Sequence, residues 1–198
     1  MNDNVLIFEG YDGSGKSTLI AELLVALHGK TVRVIGRKTE EQLIAISRII
    51  EDPDHSLSNE AEMLLRVALE LERLIIVSEC RSRFDYVIMD RGPISVKAWA
   101  RYYDLKFAEY KSLFETIERR LVGATVFLCH CDFEQCWSRI GGKEAPSKKE
   151  LLGKETNRVW FERYAQVCNE SHGKGYKIVD VATECDISHS LSTIVNAI

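Results

Sequence analysis

The stretch "FEGYDGSGKST", residues 8–18, decides how this chain is read. Within it, Gly10 to Ser17 satisfies G-x-x-x-x-G-K-[ST] in full. The apolar run "NVLIF" (4–8) precedes it and reads as a short buried strand. "KSTLIAELLVALH" (16–28) follows, with apolar residues at helical spacing as far as Gly29. Gly13 and Gly15 let the backbone wrap closely and aim N–H groups inward, and the positive end of a helix opening near Lys16 favours the same anion. Such a loop holds a nucleoside triphosphate. Lys16 reaches its β- and γ-phosphates, and the Ser17 hydroxyl ligates Mg²⁺.

Outward from the loop, the 198 residues suit one domain, 1–198, with room for a sizeable core. A formal charge of −4 gives no basic footprint for long nucleic acid. No apolar run approaches the roughly 20 residues that span a bilayer, so no membrane partner is expected. "MNDNVLIF" (1–8) lacks a basic leader and a small-residue cleavage site, which argues against secretion. The six cysteines (Cys80, Cys129, Cys131, Cys136, Cys168 and Cys185) fit reduced thiols in a cytoplasmic protein better than a disulfide framework. "CHC" (129–131) puts Cys129 and Cys131 on one face of a strand and His130 on the other. No second Cys/His pair has zinc-like spacing, so free thiols beside a core strand are expected.

Along the chain, short runs rich in Val and Ile alternate with helical patterns. After the loop and its helix come the strand "TVRVIG" (31–36) and the helix "EEQLIAISRII" (40–50), for which Thr39 and Gln42 resemble a capping box. Turn-rich "EDPDHSLS" (51–58) leads to a long helix through Arg83, with Asn59 and Glu62 spaced as its cap. The strand "DYVIMD" (85–90), a Gly-Pro break and the helix "ISVKAWARYY" (94–103) follow. Next come a helix near 107–121, the strand "ATVFLCH" (124–130) and a helix capped by Asp132 and running to about Arg139. The basic segment "GGKEAPSKKE" (141–150), with Ser147 and Glu150 at capping spacing, precedes "KETNRVWFERYAQVCNES" (154–171), the strand "YKIVD" (176–180) and a closing helix over 187–197.

This alternation predicts an α/β fold with a parallel sheet covered by helices on both faces. Ligands of such sheets lie at the carboxyl ends of the strands. The glycine loop, Arg37, Asp90 with Arg91, and Asp132 all follow strands directly and should share one rim. Asp12 places a carboxylate beside a highly charged ligand, which fits a contact with a sugar hydroxyl or a solvated loop acid. Asp90 can act on metal-bound water or a substrate hydroxyl, and the fork of Arg91 suits a phosphate; the two also fit a structural ion pair.

These residues resemble the thymidylate kinases among the nucleoside monophosphate kinases. "FEGYDGSGKST" is similar to the family's F-E-G-x-D-G-x-G-K-[ST]-T loop. "DPDHSLSNEAEMLLRVALELER" (52–73) resembles its turn into the base-binding helix, "VIMDRGPIS" (87–95) its D-R-[YF] strand end, and "FERYAQVC" (161–168) and "KIVDVA" (177–182) its later helix and last strand. The resemblance covers nearly the whole chain. It implies a three-layer P-loop kinase fold with a five-stranded parallel sheet and a short basic lid near 139–150. It also implies Mg-dependent transfer of the γ-phosphate of ATP to a (deoxy)nucleoside monophosphate, and a homodimer built on helices.

By the same resemblance, Lys16, Ser17 and the backbone of Gly13, Ser14, Gly15 and Thr18 hold the donor phosphates and Mg²⁺. Asp12 meets the acceptor's sugar, while Arg91 and Arg37 grip its phosphate. Arg139 opens the lid, with Lys143, Lys148 and Lys149 as further cations. Val181 and Ala182 border the donor adenine.

The chain departs from the family in places. R-E-P becomes Arg37-Lys38-Thr39, and Gly92 follows Asp-Arg. The F-A-x-x-R that stacks on thymine and donates to its carbonyl aligns with Arg66 and Glu70. Arginine can still stack on a base. A glutamate there suits an amino-bearing base such as cytosine or adenine, or an altered pyrimidine, unless the register shifts by a turn or Glu70 pairs with Arg66. Trp99 matches a tyrosine that lines the acceptor site, or it serves the core. Two other readings stay open: a nucleoside kinase, which wants a carboxylate base just after the second strand, and a nucleotide-binding module without transfer activity.

Overall fold

Alternation inside each strand explains the two faces of the sheet. Val5 and Ile7 of the first strand enter one apolar cluster, and Leu6 and Phe8 enter another on the opposite side. The computed structural model describes residues 4–52, 57–142, 149–172, 175–184 and 186–198. Five strands, β1 (Val5–Glu9), β2 (Val32–Ile35), β3 (Tyr86–Asp90), β4 (Thr125–His130) and β5 (Lys177–Ala182), form one parallel sheet in the order β2-β3-β1-β4-β5. The helices are α1 (Lys16–Ala26), α2 (Glu41–Glu51), α3 (Asn59–Cys80), α4 (Pro93–Tyr102), α5 (Phe107–Arg120), α6 (Phe133–Gly141), α7 (Lys154–Ser171) and α8 (Ile187–Val195).

Helices α1 and α8 cover one face through Leu19, Ile20, Leu23 and Ile194. The other face is covered by α2 to α7, through residues such as Leu43, Met63, Val67, Ile94, Phe114, Ile140 and Trp160. From β1 the chain runs out to β2 and back to β3, then crosses β1 to β4 and β5, so the strand order reverses at β1. The carboxyl end of β1 is therefore the crevice where an open α/β sheet binds ligands. The glycine loop leaves from that point.

Three capping expectations change. Helix α2 starts one residue later than its pattern, with Glu40 as N-cap and no side-chain cap, while Thr39 Oγ1 donates to Gly36 O at 3.4 Å. Glu40 is drawn into an ion pair with Arg33 and stays extended, which keeps Thr39 out of capping position. Ser58, not Asn59, caps α3, accepting from Ala61 N at 3.2 Å. Asn59 is the first helical residue, and Glu62 reaches forward to Arg66. Ser147 lies outside the described residues; Glu150 opens a single 3-10 turn, and α7 starts after Gly153 without a side-chain cap. Asp132 does cap α6, accepting from Gln135 N at 2.8 Å.

Candidate active site

At the loop, Gly13 and Gly15 take φ of 79° and 83°, values that favour glycine. Gly15 is the N-cap of α1, no side chain caps that helix, and its first turn holds no acid. The N–H groups of that turn therefore await an outside acceptor, and the helix dipole favours an anionic one. Lys16 Nζ donates to Gly10 O and Tyr11 O, both at 2.8 Å, with Ser14 Oγ at 3.4 Å. Burial, and then the like charge of Arg91, push Lys16 down to about 8. Ser14 is buried beneath the ammonium, whereas Ser17 and Thr18 are exposed at the mouth.

Opposite the loop stands Arg91, at φ 65°. It donates from Nη1 to Gly10 O at 3.1 Å and Ser95 Oγ at 3.2 Å and pairs with Asp12. Asp12 pairs with Lys149 as well, whose ammonium also lies 4.2 Å over the Tyr11 ring. Burial alone would raise the Asp12 carboxyl, but Arg91, then Lys149 and Lys16, outweigh it and hold it well below the usual carboxylate range.

Arg37 completes this side. Its buried Nε has no hydrogen-bond acceptor among the described residues. Burial, then Arg66 and Arg91, push its guanidinium down to about 10. A buried donor crowded by like charges is an arrangement that an anion would relieve. The rim thus offers two places for anions, the glycine loop and the arginine pair, bridged by Asp12.

The thymidylate kinase family model matches residues 8–191. The chain belongs to the thymidylate kinase family. It is a nucleoside monophosphate kinase, a phosphotransferase that moves phosphate from ATP. No curated protein matches it by sequence. Among solved structures it is similar to the thymidylate kinase of Candida albicans, at 16% identity over 99% of this chain and 91% of that one, with a TM-score of 0.69. That likeness carries the fold.

Within this thymidylate kinase family fold, the remaining expected residues fall into distinct places. Arg66 pairs with Glu62 and lies over Trp99, with its Cζ 4.9 Å from the ring centroid. Glu70 pairs with Arg73 and not with Arg66: it is 1% exposed, and both its oxygens accept from Arg73 Nη1, at 2.8 and 3.0 Å. Asp90 sits half-buried at the end of β3, near enough to Lys16 and Arg91 to influence their charge. Arg139 donates to Gly13 O at 3.2 Å and Thr183 O at 2.9 Å, joining the loop to the chain after β5. Val181 is buried in the sheet, while Ala182 ends β5 and its carbonyl accepts from Ser190 Oγ at 2.6 Å. Lys143 and Lys148 lie outside the described residues.

Beside the site, the buried Glu9 and Arg73 were not foreseen. Glu9, fully buried at the end of β1, accepts from Gly92 N at 2.9 Å, Ser95 N at 3.2 Å, Ser95 Oγ at 2.5 Å and Tyr164 OH at 2.7 Å. Tyr164 OH in turn accepts from Gly10 N at 2.8 Å, so one carboxylate ties the glycine loop to the start of α4. Arg73, also fully buried, donates from Nη2 to Ile35 O, Asp90 O and Arg91 O at 2.8–2.9 Å. A signal existed for Glu9, a lone charge closing an otherwise apolar strand. For Arg73 the helical spacing from Glu70 gave only a surface-type pair.

Proposed function

We propose that the glycine loop holds the ATP donor and that Arg37 and Arg91 hold the phosphate of the acceptor nucleotide. The observation carrying this reading is the buried, unpartnered Nε of Arg37, next to Arg91 on the rim that bears the loop. A hydroxyl acceptor would need a carboxylate base just after β2, where this chain has Arg37 and Lys38, the latter paired with Glu51 at 2.7 Å.

Roles follow for the other residues. Lys16 neutralises the donor phosphates, and the first turn of α1 offers them its N–H groups. Asp12 receives the acceptor's sugar hydroxyl, exchanging it for Lys149 and releasing that ammonium to charge developing between the two phosphates. Arg139, held between the loop and Thr183, closes the donor side where Val181 and Ala182 border the adenine, in a lid that excludes water.

Among the described residues no three His, Cys, Asp or Glu side chains could hold a metal ion. The exposed Ser17 hydroxyl and, through water, Asp90 would meet Mg²⁺ carried on the triphosphate. When bound, it neutralises phosphate oxygens. No described helix is long and apolar enough to cross a membrane. Free thiols and a nucleotide substrate suit the cytoplasm, and the family resemblance suggests a homodimer.

The test is acceptor-dependent ADP release with ATP and Mg²⁺. Monophosphates should support turnover and nucleosides should not. Arg37→Ala should raise the acceptor KM by about tenfold or more, the worth of a charged hydrogen bond, and leave the ATP KM unchanged. Turnover of nucleosides alone, or an unchanged acceptor KM, would overturn the reading.

A further inference from the structure

The turn from β4 into α6 brings two thiols together behind the glycine loop. Strand β4 ends at His130, and the "CHC" run parts there: Cys129 packs on the α1 side of the sheet, while Cys131 turns into the other apolar cluster. Asp132 caps α6, and the first turn of that helix carries Cys136 back until its sulfur lies 3.1 Å from that of Cys131. Both residues are buried, yet they line a cavity of about 280 Å³ whose wall also holds the exposed His130, Asn169 and Asp180, so solvent reaches it. Arg139 Nη1 stands 3.6 Å from Cys131 Sγ, a cation beside one of the two sulfurs. Burial, then Cys131, push the Cys136 thiol up, so Cys136 keeps its proton while the guanidinium favours charge on Cys131. The same residues touch the loop. A Cβ on Gly13 would lie 2.3 Å from Cys136 O, so the loop rests on the backbone of α6 with no side chain between them. Arg139 Nη1 also donates to Gly13 O at 3.2 Å.

We propose that Cys131 and Cys136 form a reversible disulfide site, and that closing it weakens the hold of the glycine loop on ATP. The effect on ATP rests on the donor reading above; the site itself does not. The oxidant is a hydroperoxide such as hydrogen peroxide. The Cys131 thiolate attacks a peroxide oxygen: an S–O bond forms, the O–O bond breaks, and the departing hydroxide takes up the proton that Cys131 released, giving water. The Cys136 sulfur then attacks Cys131. The S–S bond forms, the S–O bond breaks, and the hydroxyl leaves with the Cys136 proton as a second water. Two electrons pass from the sulfurs to one peroxide, and a dithiol reverses the change by two exchanges. A disulfide holds its sulfurs about 2.05 Å apart, about 1 Å closer than the present contact. Close-packed interiors pass such a shift on, and Gly13 rests on one of the two residues that must approach. The bond also removes the thiolate form that Arg139 faces. In a reducing compartment such a disulfide is transient and serves as a sensor.

The experiment treats the reduced enzyme with hydrogen peroxide, maps its thiols by alkylation and peptide mass, and measures ATP affinity by calorimetry. Cys131 should be found joined to Cys136, and ATP should bind about fivefold more weakly or worse, the lower end of coupling between sites. Dithiothreitol should restore both. By linkage, saturating ATP should make the disulfide harder to form in a glutathione redox buffer by the same factor, a readout that peroxide damage elsewhere would not give. Cys131→Ser and Cys131→Ala should bind ATP as the reduced wild type does and ignore peroxide, with thermal melting to confirm that they are folded. Sulfinic acid without the Cys131–Cys136 link, a link to another cysteine in its place, unchanged ATP affinity in the linked enzyme, or an equal loss in the Cys131 variants would each overturn the proposal. Reduced enzyme that binds no ATP would defeat the donor reading instead, and the peptide map would still decide whether the disulfide forms.

Discussion

Replacing Arg73 by methionine should cost the fold about 3–5 kcal/mol, the typical penalty for breaking a buried ion pair from one side. The side chain is fully buried, and its removal strands the Glu70 carboxylate, which accepts from it at 2.8 and 3.0 Å. It also removes the donor shared by the carbonyls of Ile35, Asp90 and Arg91. In the double variant Glu70→Leu/Arg73→Met the stranded charge is gone, but the three carbonyls still lack their donor, at about 1–3 kcal/mol for a buried group left unmet. The double variant should therefore be more stable than Arg73→Met alone and less stable than the wild type. Urea unfolding followed by the three tryptophans measures this, with the denaturant slope checked for constancy. Both variants should also raise the acceptor KM, because Arg91 loses the contact that fixes its carbonyl. An Arg73→Met variant within about 1 kcal/mol of wild type would refute the reasoning, given the penalty expected for a buried pair. So would a double variant less stable than the single one.

Two further predictions concern the glycine loop. A Cβ on Gly10 would lie 2.3 Å from Cys129 O, whereas one on Gly15 would meet nothing closer than Thr183 Cβ at 3.6 Å. Gly10→Ala should therefore lower the melting temperature more than Gly15→Ala, whose cost is the left-handed backbone alone, about 1–2 kcal/mol; equal shifts would contradict the packing argument. Because Lys16 stands near 8 before phosphate binds, and a bound anion favours its charged form, ATP affinity should fall as pH rises through that value. Between pH 7 and 9 the loss should be about tenfold by calorimetry, and Lys16→Ala should bind weakly with a flat profile. A wild-type profile as flat as that of the variant would remove Lys16 from the phosphate site.

Much of this was legible in the chain because local signals and tertiary outcome agree. The sheet, the order of its elements and the loop follow from periodicity and glycine placement, and the strand-end rule brings Arg37, Asp12 and Arg91 to one rim. Cap positions were less legible. Ser58 and Asn59 are both good capping residues side by side, and Thr39 loses its role to the long-range pair of Glu40 with Arg33. Glu70 was least legible. Its spacing to Arg66 and to Arg73 is equally helical, and only the three strand-end carbonyls that hold Arg73 in the core decide which arginine it meets.

The buried Glu9 and Arg73 have a common logic. Arg91 sits at φ 65°, a conformation that costs a non-glycine residue about 1–2 kcal/mol. Its N–H donates to Phe8 O at 2.9 Å, its carbonyl accepts from Arg73, and the next N–H, of Gly92, donates to Glu9. Three hydrogen bonds on consecutive backbone groups over-determine the strained residue, and two of them end on charges withdrawn from solvent. The consequence is electrostatic. A guanidinium held by its backbone does not need the substrate to place it, so Arg91 can stand beside Lys16 and Arg37 and add its like charge to the burial that depresses both neighbours. A phosphate entering beside Arg37 and Arg91 relieves that repulsion, and the fixed backbone keeps the guanidinium within reach of it. Loosening Arg73 should thus weaken the acceptor before it weakens the donor, whose loop keeps its own helix, whereas loosening Glu9, which also holds Gly10 through Tyr164, should weaken both.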